Sequence, residues 1–523
     1  MSRKYDSGNS LSQKILEGVN ILADNVGSTL GPRGRNVILH NLNSNPIITK
    51  DGVTVAKFVE LEDPMQNLGV QIVKQASEQT NAEAGDGTTT ATILARSILI
   101  HAQRYVIAGA APIEIKRGIN KAVAQVIENL EELARPISSI EDIEQIATIS
   151  ANGDKVIGKL IATAIDKAGK DGAITIEEAR AVETSLDIME GFRFDSGYLA
   201  SAFITDERRG VAKYENPLIL VTDGQIETVE EILPVLELVA RENRPLVIVA
   251  ENVEGQALAA LIMNALRGTM RVAAIKAPRY GEERRNILQD LAIATGATFV
   301  AQSSGTNLKQ VKLKHLGTCR SIETSKYETT IVSGGGDSDK IEERIDTLKA
   351  QLSQAKQMHE CEVLQERITK LASGIAIIHV GGSTEIEMIE KKHRIEDALE
   401  AVKSAQLEGI VPGGGVALLR AASNLEVDVD NKDQQLGVDI LKTAALEPMK
   451  QMAINAGESP DLIISKVARE DDSWGYDFTT RELEDMMEVG IIDPVKVTRC
   501  ALQNAASVAA TLITANYAIV VAE

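Results

Sequence analysis

Both ends of the chain carry apolar residues at helical spacing, whereas the middle carries short continuous apolar runs. Near the start, Ile15, Val19 and Leu22 mark one face of a helix, and Asn36, Val37, Ile38 and Leu39 form a short apolar strand after a glycine-bearing turn. Ile93, Leu94, Ile98 and Leu99 recur at helical spacing and Gly109 with Pro112 supplies a stop, which predicts a helix beginning near Thr88. From about Gly191 to Gly374 the runs Leu218–Val221, Leu246–Val249 and Val272–Ile275 alternate with helical stretches, an α/β pattern. Within Lys340 to Leu371, the residues Ile341, Ile345, Leu348, Leu352, Leu364, Ile368 and Leu371 predict one or two amphipathic helices facing the protein's own core. Glu390 to Gln406 reads as another, ending at Gly409. The fold class is multidomain, α and α/β, with mainly helical flanks; nothing in the pattern says that the flanks meet.

At 523 residues, 44% of them hydrophobic, the chain exceeds the size at which one core usually divides, and roughly two to four domains are expected. With 75 acidic and 55 basic residues, its net charge of -20 argues against nucleic acid or an anionic membrane as partner. Only 3% of residues are aromatic, so aliphatic side chains supply the core. Cys319, Cys361 and Cys500 show no CxxC spacing, which fits a reducing compartment. Met1 to Asp6 has no apolar signal core and no run is long enough to span a bilayer, so a cytoplasmic location is expected.

The densest chemistry lies in Ala84-Gly85-Asp86-Gly87-Thr88-Thr89-Thr90-Ala91-Thr92, where one carboxylate, two glycines and three hydroxyls precede the predicted helix. Unpaired N–H groups at a helix start favour phosphate, and Asp86 is a candidate Mg²⁺ ligand, since Mg²⁺ takes one or two carboxylates and completes its shell with phosphate and water. Thr29 to Asn36 and Thr49 to Thr54 are further glycine-bearing turns able to cradle a pyrophosphate, with Asp51 available to the metal or an attacking water. Ordinary turns and helix caps explain each segment equally well when it is taken alone. There is no GxxxxGK[ST], so any nucleotide site is of another design than the P-loop.

LGPRGRNV, ITKDGVTVAK, EAGDGTTTAT, ISANGD, VEGQALAALIMN, KAPRYGEERR, VPGGGVALLR and IIDPVKVTR occur in order from about Ser10 to Ala515, and in this the sequence resembles the group I chaperonins, the GroEL family. The resemblance implies an equatorial ATPase and ring-contact domain from residues 1–133 and 410–523, an intermediate hinge domain from 134–190 and 375–409, and an apical client- and lid-binding domain from 191–374. Gly191, Gly374, Pro136 and Gly409 stand where it places the hinges. It implies ATP-driven folding of non-native polypeptides in a homo-oligomeric ring of seven, single or double, closed by a lid co-chaperonin. Asp397, with Asp51, becomes catalytic and positions the water that attacks the γ-phosphate. Asp86 binds Mg²⁺, and Thr29, Lys50 and Thr89 resemble the family's K⁺ site. Leu30, Gly31, Pro32, Gly87, Thr88 and Thr90 line the phosphates, while Gly414 and Asp493 hold the nucleoside. Client binding falls to Tyr198, Phe203, Leu233, Leu236, Leu258, Ile262 and Met263, an apolar surface of the kind that unfolded chains require.

Several positions depart from the family's pattern. Beside the base, Tyr476-Asp477-Phe478-Thr479 replaces the usual Tyr-Asn-Ala-Ala, and an ionised Asp477 accepts but does not donate a hydrogen bond. Ala200 and Ala202 stand where serine and tyrosine are common, and the sequence stops at Val520-Val521-Ala522-Glu523 without a Gly-Gly-Met repeat. Lys450 and Ser459 occupy positions that often form an ion pair between rings, so a bias toward single rings is expected. Two rival readings are a small-molecule phosphotransferase, for which the six scattered histidines supply no catalytic constellation, and an ATP-binding ring holdase with little turnover.

Overall fold

The computed structural model describes residues 2–40, 46–168, 174–179, 181–301, 308–355, 358–372, 374–423 and 425–522. The chain divides into two compact units, one made of Met1–Ala162, Arg180–Glu183 and Val380–Glu523, the other of Thr163–Ala179 and Thr184–His379. The first is built on long helices, among them Gly8–Gly27, Pro64–Ala84, Thr88–Ile107, Pro112–Leu133, Lys432–Ala444 and Val495–Leu512. Leu22, Val26, Leu94, Ile98, Ile115, Ile119, Leu441 and Leu502 are among its buried core residues. Two helix pairs approach through glycine: a Cβ on Gly18 would lie 2.0 Å from the Gln66 carbonyl oxygen, and one on Gly118 2.0 Å from that of Gln434. The strand Ser2–Ser7 pairs antiparallel with Tyr517–Ala522, so the flanks meet. Among the described residues no helix is long and apolar enough to cross a membrane.

The second unit is the α/β segment. Its sheet runs in the order Val272–Lys276, Leu246–Ala250, Leu218–Val221, Gly317–Thr324, Thr329–Gly334, Ser185–Phe194, Gly374–Val380 and Ile174–Glu178, with Ala212–Glu215 pairing beside Gly317–Thr324. The first three strands are parallel and fully buried at nearly every position, which is why they read as continuous apolar runs. The Lys340–Leu371 stripe, expected to form one or two helices, lies on two, Ser338–Gln354 and Met358–Ala372, with Leu348, Leu364, Ile368 and Leu371 in the core. Asp290, 1% exposed, joins them to the Gly281–Thr295 helix by accepting hydrogen bonds from Arg344 at 2.8 Å and Arg367 at 2.7 and 3.0 Å.

In the first unit, Arg135 and Ile410 exchange backbone hydrogen bonds of 2.9 and 2.8 Å. Gly409 has φ +84°, and a side chain there would meet the Arg135 carbonyl oxygen at 2.7 Å. The carboxylate of Asp142, 7% exposed, accepts from the Ser138 N–H (2.9 Å), the Ser138 hydroxyl (3.0 Å), the Ser139 N–H (3.3 Å) and Arg135 (3.1 Å). Burial pushes this carboxyl up, but the Ser138 donors and the Arg135 charge prevail and hold it below the ordinary aspartate value. A depressed carboxyl contributes stability that is present above its unfolded pKa and lost as pH falls through the folded one. Asp142→Ala is therefore expected to cost about 1–3 kcal/mol at pH 7. The melting difference from wild type should close as pH falls below the ordinary aspartate value, which thermal scans between pH 7 and 3 will read.

Candidate functional site

The helix predicted to start near Thr88 spans Thr88–Ile107, capped by Gly87 in the left-handed region at φ +84°. Asp86 precedes it; its carboxylate accepts from the Gly87 N–H and, at 3.1 Å, from the Ser150 hydroxyl at the end of the Ile140–Ser150 helix. Asp51 caps the short Gly52–Phe58 helix by accepting from Val53 N–H (3.1 Å), Thr54 N–H (3.2 Å) and the Thr54 hydroxyl. A Cβ on Gly52 would lie 2.3 Å from Thr89 Oγ1 and 2.7 Å from Thr88 Oγ1, so the two helix starts abut and only glycine permits it. The turn after Gly27 is fixed from three sides. Asn455 donates to the Gly27 and Leu30 carbonyls at 2.9 Å each, Gly31 (φ +77°) leaves no room for a Cβ beside Met452, and Arg33 donates to the Phe478 and Thr479 carbonyls at 3.2 and 3.1 Å.

These segments line a single cavity of about 850 Å³. Thr29, Leu30, Gly31, Pro32, Lys50, Asp51, Asp86, Gly87, Thr88, Thr89, Thr90, Asp397, Gly414, Asp477, Phe478, Thr479 and Asp493 all contribute to its wall. Asp397 comes from the Glu385–Glu408 helix, which is held close to the Asp86 turn: Ser404 donates to the Ala84 carbonyl at 2.9 Å, and a Cβ on Gly85 (φ +73°) would lie 2.3 Å from that of Glu400. Asp493 lies on Ile492–Pro494, paired with Ile410–Pro412 just before the Gly413-Gly414-Gly415 turn. Asp477 is buried, and its carboxylate is engaged by the Thr479 and Thr480 N–H groups at 2.7 and 3.3 Å, so it closes a local turn. Ser150, Asn152 and Lys155 also line the cavity; the ISANGD segment was the only sequence signal for that wall.

The carboxylates repel one another. Asp86 and Asp493 keep some accessible surface yet are surrounded by protein, and that surrounding sets their ionisation. Burial pushes Asp86 up, opposed by the Gly87 and Ser150 donors and assisted by the Asp51 charge. Burial and then the Asp86 charge push Asp493 up to about 6. Lys50 is lowered, by burial first and then by the Arg394 charge. Among the described residues no three His, Cys, Asp or Glu side chains form a metal cage. That donor set suits Mg²⁺, which needs only one or two carboxylates when a phosphate supplies other ligands, and whose charge would relieve the repulsion between Asp51 and Asp86.

The seven apolar residues expected at a client surface all lie in the second unit, but not all at its surface. Leu233 (45% exposed) and Met263 (46%) are accessible, and Leu258 and Ile262 are half-buried against the core. Tyr198 is also half-buried and donates to the Gly210 carbonyl at 3.1 Å. Phe203 (1%) and Leu236 (7%) correct the expectation: they fill the core, where clients do not reach them in this conformation. Leu266, 67% exposed at the end of the Gly255–Leu266 helix, is an accessible apolar residue that the sequence reading passed over.

A model of the TCP-1/cpn60 chaperonin family matches residues 22–523. Among solved structures, the chaperonin gp146 from the bacteriophage EL 2 (Pseudomonas aeruginosa), crystallised in presence of ATP-BeFx, matches with a TM-score of 0.66 and 23% identity over 99% of both chains, a likeness of fold.

Proposed function

Since the chain belongs to the TCP-1/cpn60 chaperonin family and is a chaperonin of the GroEL type, we propose that it is an ATP-dependent folding machine whose nucleotide site is the cavity bounded by Asp51, Asp86, Asp397 and Asp493. The observation that carries this reading is the convergence of the Thr88 helix start, the Thr29–Pro32 turn and the carboxylates of Asp51, Asp86, Asp397 and Asp493 on one cavity. In it the N–H groups and hydroxyls of Thr88, Thr89 and Thr90 bind phosphate oxygens. Asp86 would hold Mg²⁺ with Asp51 beside it, and the ion would supply charge neutralisation at the phosphates. Asp397 orients and deprotonates the attacking water, and Asp493 accepts from the ribose. The oxygens of Thr29, Lys50 and Thr89 are the proposed K⁺ ligands, Lys50 through its carbonyl because its ammonium is itself cationic.

Residues 1–133 and 410–523 would then be equatorial, 134–190 and 375–409 intermediate, and 191–374 apical, in a cytoplasmic homo-oligomeric ring of seven. Lys450 pairs with Glu447 of its own helix at 3.3 Å, and Ser459 carries no charge that could pair with it across rings. Clients and a lid co-chaperonin would compete for Leu233, Met263 and their half-buried neighbours. ATP favours one ring state over another and hydrolysis makes the cycle directional.

The test is refolding of a denatured model enzyme with and without ATP and a lid co-chaperonin. Wild type is expected to refold it in an ATP-dependent manner, and Leu233→Ser with Met263→Ser to lower capture several-fold without changing ATP binding. Aggregation suppression with no effect of nucleotide would instead establish a passive holdase.

A further inference from the structure

The Pro64–Ala84 helix buries a lysine. Lys74 is 6% exposed, and among the described residues its ammonium forms no ion pair; its hydrogen bond, at 3.0 Å, goes to the backbone carbonyl of Lys57. Burial pushes the pKa of the amine down, with the Glu60 and Glu78 charges opposing. A buried ammonium without an ionic partner costs stability, and a methionine of similar length would fill the same space at less cost. Lys57 lies in the last turn of the Gly52–Phe58 helix, where carbonyls lack intrahelical partners and carry the negative end of the helix dipole. The Lys74 ammonium therefore fastens the far end of that short helix to the Pro64–Ala84 helix.

Each of the two helices joined by this bond carries a carboxylate of the cavity. Asp51 caps the start of Gly52–Phe58 by accepting from Val53 N–H, Thr54 N–H and the Thr54 hydroxyl, so it moves with that helix. Asp86 follows the end of Pro64–Ala84 after Gly85 alone. The two acids are near enough for the Asp51 charge to push the Asp86 pKa up. At the cavity end Gly52 already abuts the Thr88 and Thr89 hydroxyls, and Ser77, buried on the Pro64–Ala84 helix, donates to the Thr88 carbonyl at 3.4 Å. Lys74 itself is not on the cavity wall. A Mg²⁺ ion demands near-octahedral oxygens at about 2.0–2.1 Å, so its affinity depends on how the carboxylates that flank it are spaced. We infer that Lys74 is a positioning residue for the divalent cation, setting the spacing of Asp51 and Asp86 through the two helices and thereby the affinity for Mg²⁺-bound nucleotide. This rests on the reading of the cavity as a nucleotide site.

The test is calorimetric titration of ATP into the full chain, with saturating Mg²⁺ and again with excess EDTA, on wild type and Lys74→Met. In the variant the factor by which Mg²⁺ tightens ATP binding should shrink about tenfold or more, the loss typical when an outer partner of a metal ligand is removed. Metal-free ATP binding should be unchanged, and the melting temperature should not fall, because the lost hydrogen bond is offset by removal of a buried charge. An undiminished Mg²⁺ effect in the variant, or an equal loss with and without the metal, overturns the role given to Lys74. ATP binding that Mg²⁺ does not tighten in the wild type overturns the inference and leaves the phosphate cradle standing; no ATP binding in either condition overturns the nucleotide site as well. If Lys74→Met does not fold, Lys74→Gln serves: its shorter, neutral donor should still reduce the Mg²⁺ effect several-fold, and an unchanged effect overturns the inference.

Discussion

Asp397→Ala will bind ATP within a few-fold of wild type and hydrolyse it about 10²–10⁴ times more slowly, the range that a positioned general base contributes. The substitution removes a carboxylate from the cavity wall without touching the Thr88 helix start or the Thr29–Pro32 turn, which the proposed site uses for binding. It also leaves intact what orients the Glu385–Glu408 helix, namely Ile395, Ala398 and Leu399 in the core, Ser404 on the Ala84 carbonyl, and the Arg394–Asp154 ion pair at 3.5 Å. Phosphate release beside equilibrium ATP binding will separate the two effects. Turnover within tenfold of wild type would remove Asp397 from the chemistry.

Gly85→Ala should damage the same step from outside the catalytic set. Its φ of +73° costs an L-residue about 1–2 kcal/mol. The larger effect is steric: the new methyl would stand 2.3 Å from the Cβ of Glu400, where carbon atoms normally rest about 3.5–4.0 Å apart. The Glu385–Glu408 helix or the Asp86 turn must yield by about an ångström, and Asp397 lies one helical turn before Glu400. A displacement of that size at a reacting group costs on the order of 10² in rate. Turnover should therefore fall on that order, the melting temperature should drop, and Glu400→Gly in the same chain, which deletes the opposing Cβ, should restore much of the rate. A double variant no faster than Gly85→Ala would mean that the turn acts through strain alone.

What was legible in the sequence was local. The start at Thr88, the strands near 218, 246 and 272, and the two helices between 338 and 372 follow from periodicity and stop signals that need only neighbouring residues. The assembly of the cavity was not legible from pattern, because contacts that hold its walls join Arg33 to Phe478, Gly85 to Glu400 and Asp86 to Ser150, pairs whose meeting depends on how whole helices pack. The motif resemblance supplied the list of residues; it gave no hint that Asp477 is tied into its own turn. Leu233 and Leu236 show the limit of periodicity itself. Three residues apart on the Val229–Glu242 helix they share a face, yet one lies at the edge of the stripe in solvent and the other is inside it.

The pairing of Ser2–Ser7 with Tyr517–Ala522 has a consequence for how the molecule comes into being. At roughly 5–20 residues per second, a ribosome delivers the second of these strands about half a minute to two minutes after the first. The inserted α/β unit, complete by His379, can finish folding while still attached to the ribosome; the helical unit that encloses it in sequence cannot close until Tyr517–Ala522 has been made. For that interval the chain carries incompletely covered apolar helices, and so passes through the kind of state that it is proposed to bind in other proteins.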